Sequence, residues 1–315
     1  MKQPSKIALV AAFAILYVVW GSTYLGILFA IKSIPPLLMA GSRYFTAGLL
    51  MYAVARLRGA PPSGWAEWRT AAIVGAALLL GGNGGVTVAE QFVASGLAAV
   101  VIATVPIYIA LLGWITGSAP RPTPVVWLGL AGGFFGVGIL LWPSLHIAPT
   151  EHPRTLTGIL ILLFAAFSWS AGSLYSRRAK NAPSPFLAAG QQMLCGGALM
   201  FLCGIVSGEH HRFDVHGVTW LSLGAWIYLV LVGAIVGFTA YIWLLRHCDP
   251  SKVATYAYVN PIVAVVLGTM FAGEKLTIHT VMAAGLIIGS VALVITADQR
   301  QRRDLPALTP VATAD

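Results

Sequence analysis

"PLLMAGSRYFTAGLLM" (36–51) and "PFLAAGQQMLCGGALM" (185–200) stand 149 residues apart and agree at seven of sixteen positions: Pro36/Pro185, Leu38/Leu187, Ala40/Ala189, Gly41/Gly190, Gly48/Gly197, Leu50/Leu199 and Met51/Met200. Each opens on a proline, which is pre-set for the first turn of a helix. Shared apolar composition supplies fewer identities than this, so the chain reads as duplicated. Outward from the pair, the same offset matches Trp20 with Trp169. Slightly longer offsets match Gly82 with Gly237, Pro106-Ile107 with Pro261-Ile262, Gly113 with Gly268, Gly132 with Gly285 and Gly136 with Gly289.

Composition names the solvent of these segments. Of 315 residues, 58% are hydrophobic and 9% charged, which is the balance of a polytopic membrane protein. A spanning helix takes about 20 mostly apolar residues, and ten stretches qualify, near 7–31, 37–57, 69–89, 95–117, 124–142, 156–176, 185–207, 218–245, 253–273 and 277–297. The expected fold is therefore all-α, with ten transmembrane helices as two five-helix repeats. An odd number of spans per repeat makes the second enter the membrane from the opposite side, an inverted pair of the kind that transporters use for alternating access around a midplane site. The repeats are expected at 1–146 and 147–298, followed by a disordered cytoplasmic tail, 299–315.

With the N-terminus inside, fourteen basic residues fall on the inner side and four, Lys32, Arg154, Arg212 and Lys275, on the outer. The positive-inside rule then sets both termini in the cytoplasm, and a bacterial inner membrane is the expected location. The formal charge of +9 has topology and anionic lipid as its explanation, so the lipid bilayer is a partner and nucleic acid is not. A monomer is expected. Cys195 and Cys203 are too far apart on one helix to bridge, and "EHHRFDVH" (209–216) reads as a solvated loop rather than a metal site. No metal or cofactor is expected.

"WGSTYLG" (20–26), "SRYFTAG" (42–48) and the closing segment "VNPIVAVVLGTMFAGEKLTIHTVMAAGLIIGSVALVI" (259–295) together resemble the EamA-type drug/metabolite transporter superfamily. The resemblance covers about residues 10 to 297. It implies ten helices, cytoplasmic termini and export of small metabolites, amino acids among them. In one respect the chain departs from symmetry: Gly273-Glu274 in the second repeat faces Ser118-Ala119 in the first.

Candidate site residues follow from depth and residue type. Trp20 and Trp169 lie mid-span at equivalent places, and each indole N–H needs a destination. With Tyr24, Tyr108, Tyr175, Tyr241, Trp243, Tyr256 and Tyr258 they are expected to line a cavity for an apolar or aromatic moiety. Thr23, Asn83, Ser173, Gln192 and Asn260 are the polar groups placed to fix its ends. "GGNGG" (81–85) has no strand before it and no following Gly-Lys, which excludes a phosphate loop. It reads either as close helix packing or as a locally unwound helix that offers Asn83 to a cavity.

Arg43 is the one basic residue of nineteen left inside a span, and Gln192 is its repeat partner. A guanidinium there costs roughly 2.5–3.5 kcal/mol. Two accounts compete: a bidentate clamp for a substrate carboxylate, or a long stem that lifts the charge to outer water. None of the ten acidic residues lies mid-span, and Glu90 and Glu274 fall at outer helix ends within reach of water. Facilitated transport, without obligatory proton exchange, is the expectation from that placement. The competing class is an integral-membrane enzyme acting on lipid-like substrates. It needs an acid–base or metal constellation, and the spans hold no carboxylate pair, histidine cluster or Gly-x-Ser-x-Gly.

Overall fold

The structure, a computed structural model, describes residues 5–119, 121–146, 153–248, 253 and 256–304. Among them there is helix and no strand. The rods are α1 (Lys6–Ala30), α2 (Pro36–Leu57), α3 (Trp65–Ala89), α4 (Ser95–Ile115), α5 (Pro124–His146), α6 (Pro153–Arg178), α7 (Pro185–Val206), α8 (Trp220–Tyr228, Leu229–Val236 and Gly237–His247), α9 (Tyr256–Phe271) and α10 (Ile278–Asp304). Eight helices are long and apolar enough to cross a membrane, and two further apolar helices, Pro124–Ile139 and Val259–Phe271, are shorter within the described residues. The last helix runs to Asp304, so the expected disorder from 299 is corrected for its first six residues.

Large apolar side chains point outward as well as inward: Phe135 is 68% exposed and Phe164 59%. In water such a surface would be untenable; in hydrocarbon it is the expected lipid face. The interior is held by small residues that let backbones approach. α2 and α7 run antiparallel, in contact over their length. A Cβ built on Gly41 would come within 2.5 Å of the Phe201 nitrogen, and one on Gly190 within 2.9 Å of the Tyr52 nitrogen. Gly48 meets the Leu194 nitrogen at 2.6 Å in the same construction, and Gly197 meets that of Phe45. These are two pairs of equivalents: adding 149 turns Gly41 into Gly190 and Tyr52 into Phe201, Gly48 into Gly197 and Phe45 into Leu194. α5 and α10 also pack antiparallel, Gly129 beside Val294 and Gly136 beside Ile287.

The third helix of each half is widened. Gly75–Gly84 in α3 and Leu229–Val236 in α8 are π-helical, a form that is rare and in other proteins gathers at functional sites. Of the two readings of "GGNGG", close packing holds and unwinding does not: the helix continues, with a wider turn. Its glycines are packed, Gly82 against Trp169 and Gly85 against Ala165.

Two corners tie the halves together through carboxylates. Glu209, in a single helical turn Glu209–Arg212, is 4% exposed and accepts from the Leu37 and Leu38 amides at 3.2 and 2.9 Å, capping α2. The solvated-loop reading of 209–216 therefore fails at its first residue. At the other corner Gly273 takes a positive φ of 65°, a conformation that favours glycine, and turns Glu274 toward the start of α4. Its carboxylate accepts from the Ser95 amide and hydroxyl at 2.7 Å each and from the Gly96 amide at 3.1 Å.

Candidate functional site

Seven helices enclose a cavity of about 120 Å³, room for several waters. One wall is Trp20, Thr23, Tyr24 and Ile27 of α1 with Gly233 and Phe238 of α8 and Tyr256, Ala257, Asn260 and Pro261 of α9. The opposite wall is Ala165 and Trp169 of α6 with Gly82, Asn83 and Val86 of α3 and Ala99, Ile102, Ala103 and Val105 of α4. α2 supplies Arg43 and Tyr44. The first helix of each half thus packs on the third and fourth helices of the other.

Both tryptophans take their places because a side chain is missing opposite. A Cβ on Gly237 would stand 2.5 Å from Trp20 Nε1, and one on Gly82 would stand 3.0 Å from Trp169 Cε3. The next residues differ, Phe238 beside Trp20 and Asn83 beside Trp169. Trp20 is caged by Phe238, Tyr241 and Tyr256 at ring-centroid distances of 5.5, 5.2 and 5.0 Å, so one wall is aromatic and the other carries an amide.

Pro261 lies inside α9 and donates no hydrogen bond, which frees the carbonyl four residues earlier, that of Ala257. Pro106 does the same to Ile102 at the break in α4, where the helix stops and restarts at Val105. Ile102 and Ala257 both line the cavity. Asn260, 7% exposed, is held by donating its amide nitrogen to the Tyr17 and Tyr256 carbonyls at 3.2 Å. Thr23 donates its hydroxyl to the Trp20 carbonyl at 2.6 Å.

Arg43 is 2% exposed, which removes the account in which its stem lifts the charge to outer water. Its Nε and Nη1 have no hydrogen-bond partner, and its guanidinium carbon lies 4.3 Å from the Tyr44 ring centroid, a cation–π contact. A buried guanidinium with unused donors on a cavity wall is chemically a receptor for an anionic group.

Of the residues expected here, Trp20, Thr23, Tyr24, Arg43, Asn83, Trp169, Tyr256 and Asn260 line the cavity. Six do not. Tyr108 packs edge-on against Phe134 and Phe167, centroids 5.9 and 6.2 Å away, between α4, α5 and α6. Ser173 follows Trp169 on the same helix face but one turn beyond, and donates to the Trp169 carbonyl at 2.7 Å. Gln192 lies where α7 presses its backbone on Gly75, and its amide points to Asn181 at 3.5 Å. Trp243 stacks on His247, centroids 4.4 Å apart. Tyr241 packs on Trp20, centroids 5.2 Å apart, without lining the cavity, and Tyr175 is 37% exposed. The Tyr258 side chain lies outside the described residues. Phe238 and Tyr44 were missed as cavity residues; Phe238 alone carried a signal, its place beside the glycine matched to Gly82.

Glu90 also departs from expectation. It is 3% exposed, and neither carboxyl oxygen has a hydrogen-bond partner, so it is not a water-reached helix end.

The sequence profile of the EamA-like transporter family matches residues 7–142 and, a second time, 156–296. The uncharacterized inner membrane transporter YedA of Escherichia coli (strain K12) is 37% identical over 295 residues, 93% of this chain and 92% of its own. The uncharacterized transporter YvbV of Bacillus subtilis (strain 168) is 24% identical over 96% of each chain. Protein PecM of Dickeya dadantii (strain 3937) is 26% identical over 89% of each. A solved crystal structure superposes with a TM-score of 0.63 at 20% identity, covering 93% of this chain and 99% of that one, which bears on the fold.

Proposed function

The chain belongs to the EamA-like transporter family, and on that premise we propose that it exports small metabolites, amino acids including aromatic ones, across the bacterial inner membrane by alternating access. The observation that carries the reading is Arg43, buried at the wall of a cavity lined mostly by aromatic and apolar side chains, with two donor nitrogens unused. Such a site fits a ligand with a carboxylate at one end and an apolar or aromatic body. Asn83 and Asn260, which also line the cavity, are placed for its remaining polar atoms.

In this reading the ten helices form two inverted repeats, 1–146 and 147–298, and both termini are cytoplasmic. Support comes from the double profile match and from the matched close approaches of α2 and α7, each of which maps onto its counterpart when 149 is added. Two similar halves with interchangeable packing can swap conformations across one shared site.

The test is a thermal-stability and flux screen of the purified protein, reconstituted in liposomes, against the twenty amino acids. Aromatic and branched apolar amino acids are expected to stabilise it and to move across the membrane, and their amides, which lack the carboxylate, are not. Equal response to acid and amide would remove the carboxylate from the reading.

A further inference from the structure

We propose that Glu90 is a proton site coupled to Arg43: protonated Glu90 leaves the guanidinium free for a carboxylate in the cavity, and ionised Glu90 reclaims it. Glu90 follows α3 one turn after Val86, which lines the cavity. Three titratable or charged groups lie within electrostatic reach of it: Arg43 of α2, Glu274 of the α9–α10 corner and Tyr24 of α1. α6 passes alongside through Gly158 and Ala165 and brings no charge; Arg154 near its start is exposed.

The set holds two carboxylates and one guanidinium, so with both acids ionised it would carry a net negative charge in a desolvated place. The two acids differ in their hydrogen bonding. Glu274 accepts two amide hydrogens and one hydroxyl hydrogen at the start of α4. Glu90 accepts none, and an unpartnered buried carboxylate is far costlier than the neutral acid. Glu90 and Arg43 are not hydrogen-bonded to one another in this conformation: neither carboxyl oxygen of Glu90, and neither Nε nor Nη1 of Arg43, has a hydrogen-bond partner.

This changes the expectation of uncoupled transport, which placed Glu90 in water. A carboxylate settling on Arg43 withdraws the charge that favours ionised Glu90 and so raises the pH at which Glu90 gives up its proton. Above the midpoint of the empty protein Glu90 therefore takes a proton from water as the carboxylate binds and returns it when the carboxylate leaves, so that up to one proton travels with each carboxylate in the same direction. Below that midpoint Glu90 keeps its proton throughout and none is exchanged. The proposal rests on the reading of Arg43 as a carboxylate receptor.

The experiment is an infrared pH titration of the full chain in lipid nanodiscs. A protonated-carboxyl carbonyl band, recognised by its shift in heavy water, is expected at neutral pH and is lost in Glu90→Gln, whose side chain is the isostere of the protonated acid. In Arg43→Gln the band persists to higher pH, its midpoint raised by about one unit or more. Isotopically labelled acetate at fixed ionic strength raises the midpoint in the unmodified chain and not in Arg43→Gln. The acetate arm in the unmodified chain needs no variant, so a substitution that fails to fold leaves the idea open to refutation. No band at neutral pH, a band that survives in Glu90→Gln, or a midpoint indifferent to acetate overturns the proposal. If these results hold and no amino acid is transported, the substrate reading fails and the proton site stands.

Discussion

Arg43→Lys is expected to weaken binding of a transported amino acid by about tenfold to a hundredfold while leaving the protein folded in the membrane. Lysine keeps the charge but loses the planar fork, so at most one of two parallel charge-assisted hydrogen bonds survives. Hydrogen bonds to charged groups contribute about 1.5–3 kcal/mol each, and every 1.4 kcal/mol is about tenfold in affinity. In the same variant, binding of the corresponding amino-acid amide changes little, because that ligand never used the fork. Calorimetric titration of both ligands on both proteins reads the difference. An Arg43→Lys variant that binds the acid as tightly as the parent would make Arg43 a structural charge.

Gly197→Ala is expected to destabilise the fold by about 1–3 kcal/mol and Gly138→Ala to stabilise it by up to about 1 kcal/mol. Alanine is the better helix former, so propensity alone predicts a gain at both positions. At Gly197 the added methyl collides with the backbone nitrogen of Phe45, and backbone gives only if α2 and α7 separate. At Gly138 nothing lies within 4 Å of the added carbon. Leucine at the two positions widens the contrast: Gly197→Leu is expected to yield no monodisperse protein and Gly138→Leu to behave as the parent. Thermal unfolding and size-exclusion profiles in detergent decide it, and equal behaviour of Gly197→Ala and Gly138→Ala would contradict the packing described for α2 and α7.

Much of this architecture was legible in the sequence because membrane helices announce themselves by length and hydropathy, and because the duplication was preserved at the residues that touch. Gly41, Gly48, Gly190 and Gly197 matched across the halves, and they are the points where α2 and α7 meet. Trp20 and Trp169 matched, and each rests on a glycine matched to the other's. What failed did so where depth along a helix was read without direction around it. Ser173 and Trp243 have suitable chemistry, yet each spends it one turn from its own backbone or neighbour. Arg43 and Glu90 were placed near water by counting residues to the helix end. The count takes no account of how neighbouring helices and the corner carrying Glu274 fold over that end. The π-helical turns had no signal of their own in the sequence beyond the glycines of α3.

Counterflow in proteoliposomes tests the central claim, that one cavity shared between the halves carries substrate by alternating access. Vesicles loaded with unlabelled L-phenylalanine and diluted into a trace of labelled L-phenylalanine should accumulate label transiently, because a carrier returns loaded as readily as it leaves. Asn83→Trp, which places an indole in the cavity beside Gly82, should abolish that overshoot while the protein remains folded. A labelled flux that neither saturates nor responds to internal substrate would describe a channel. An overshoot undiminished in Asn83→Trp would place the pathway elsewhere, and either result would contradict the account.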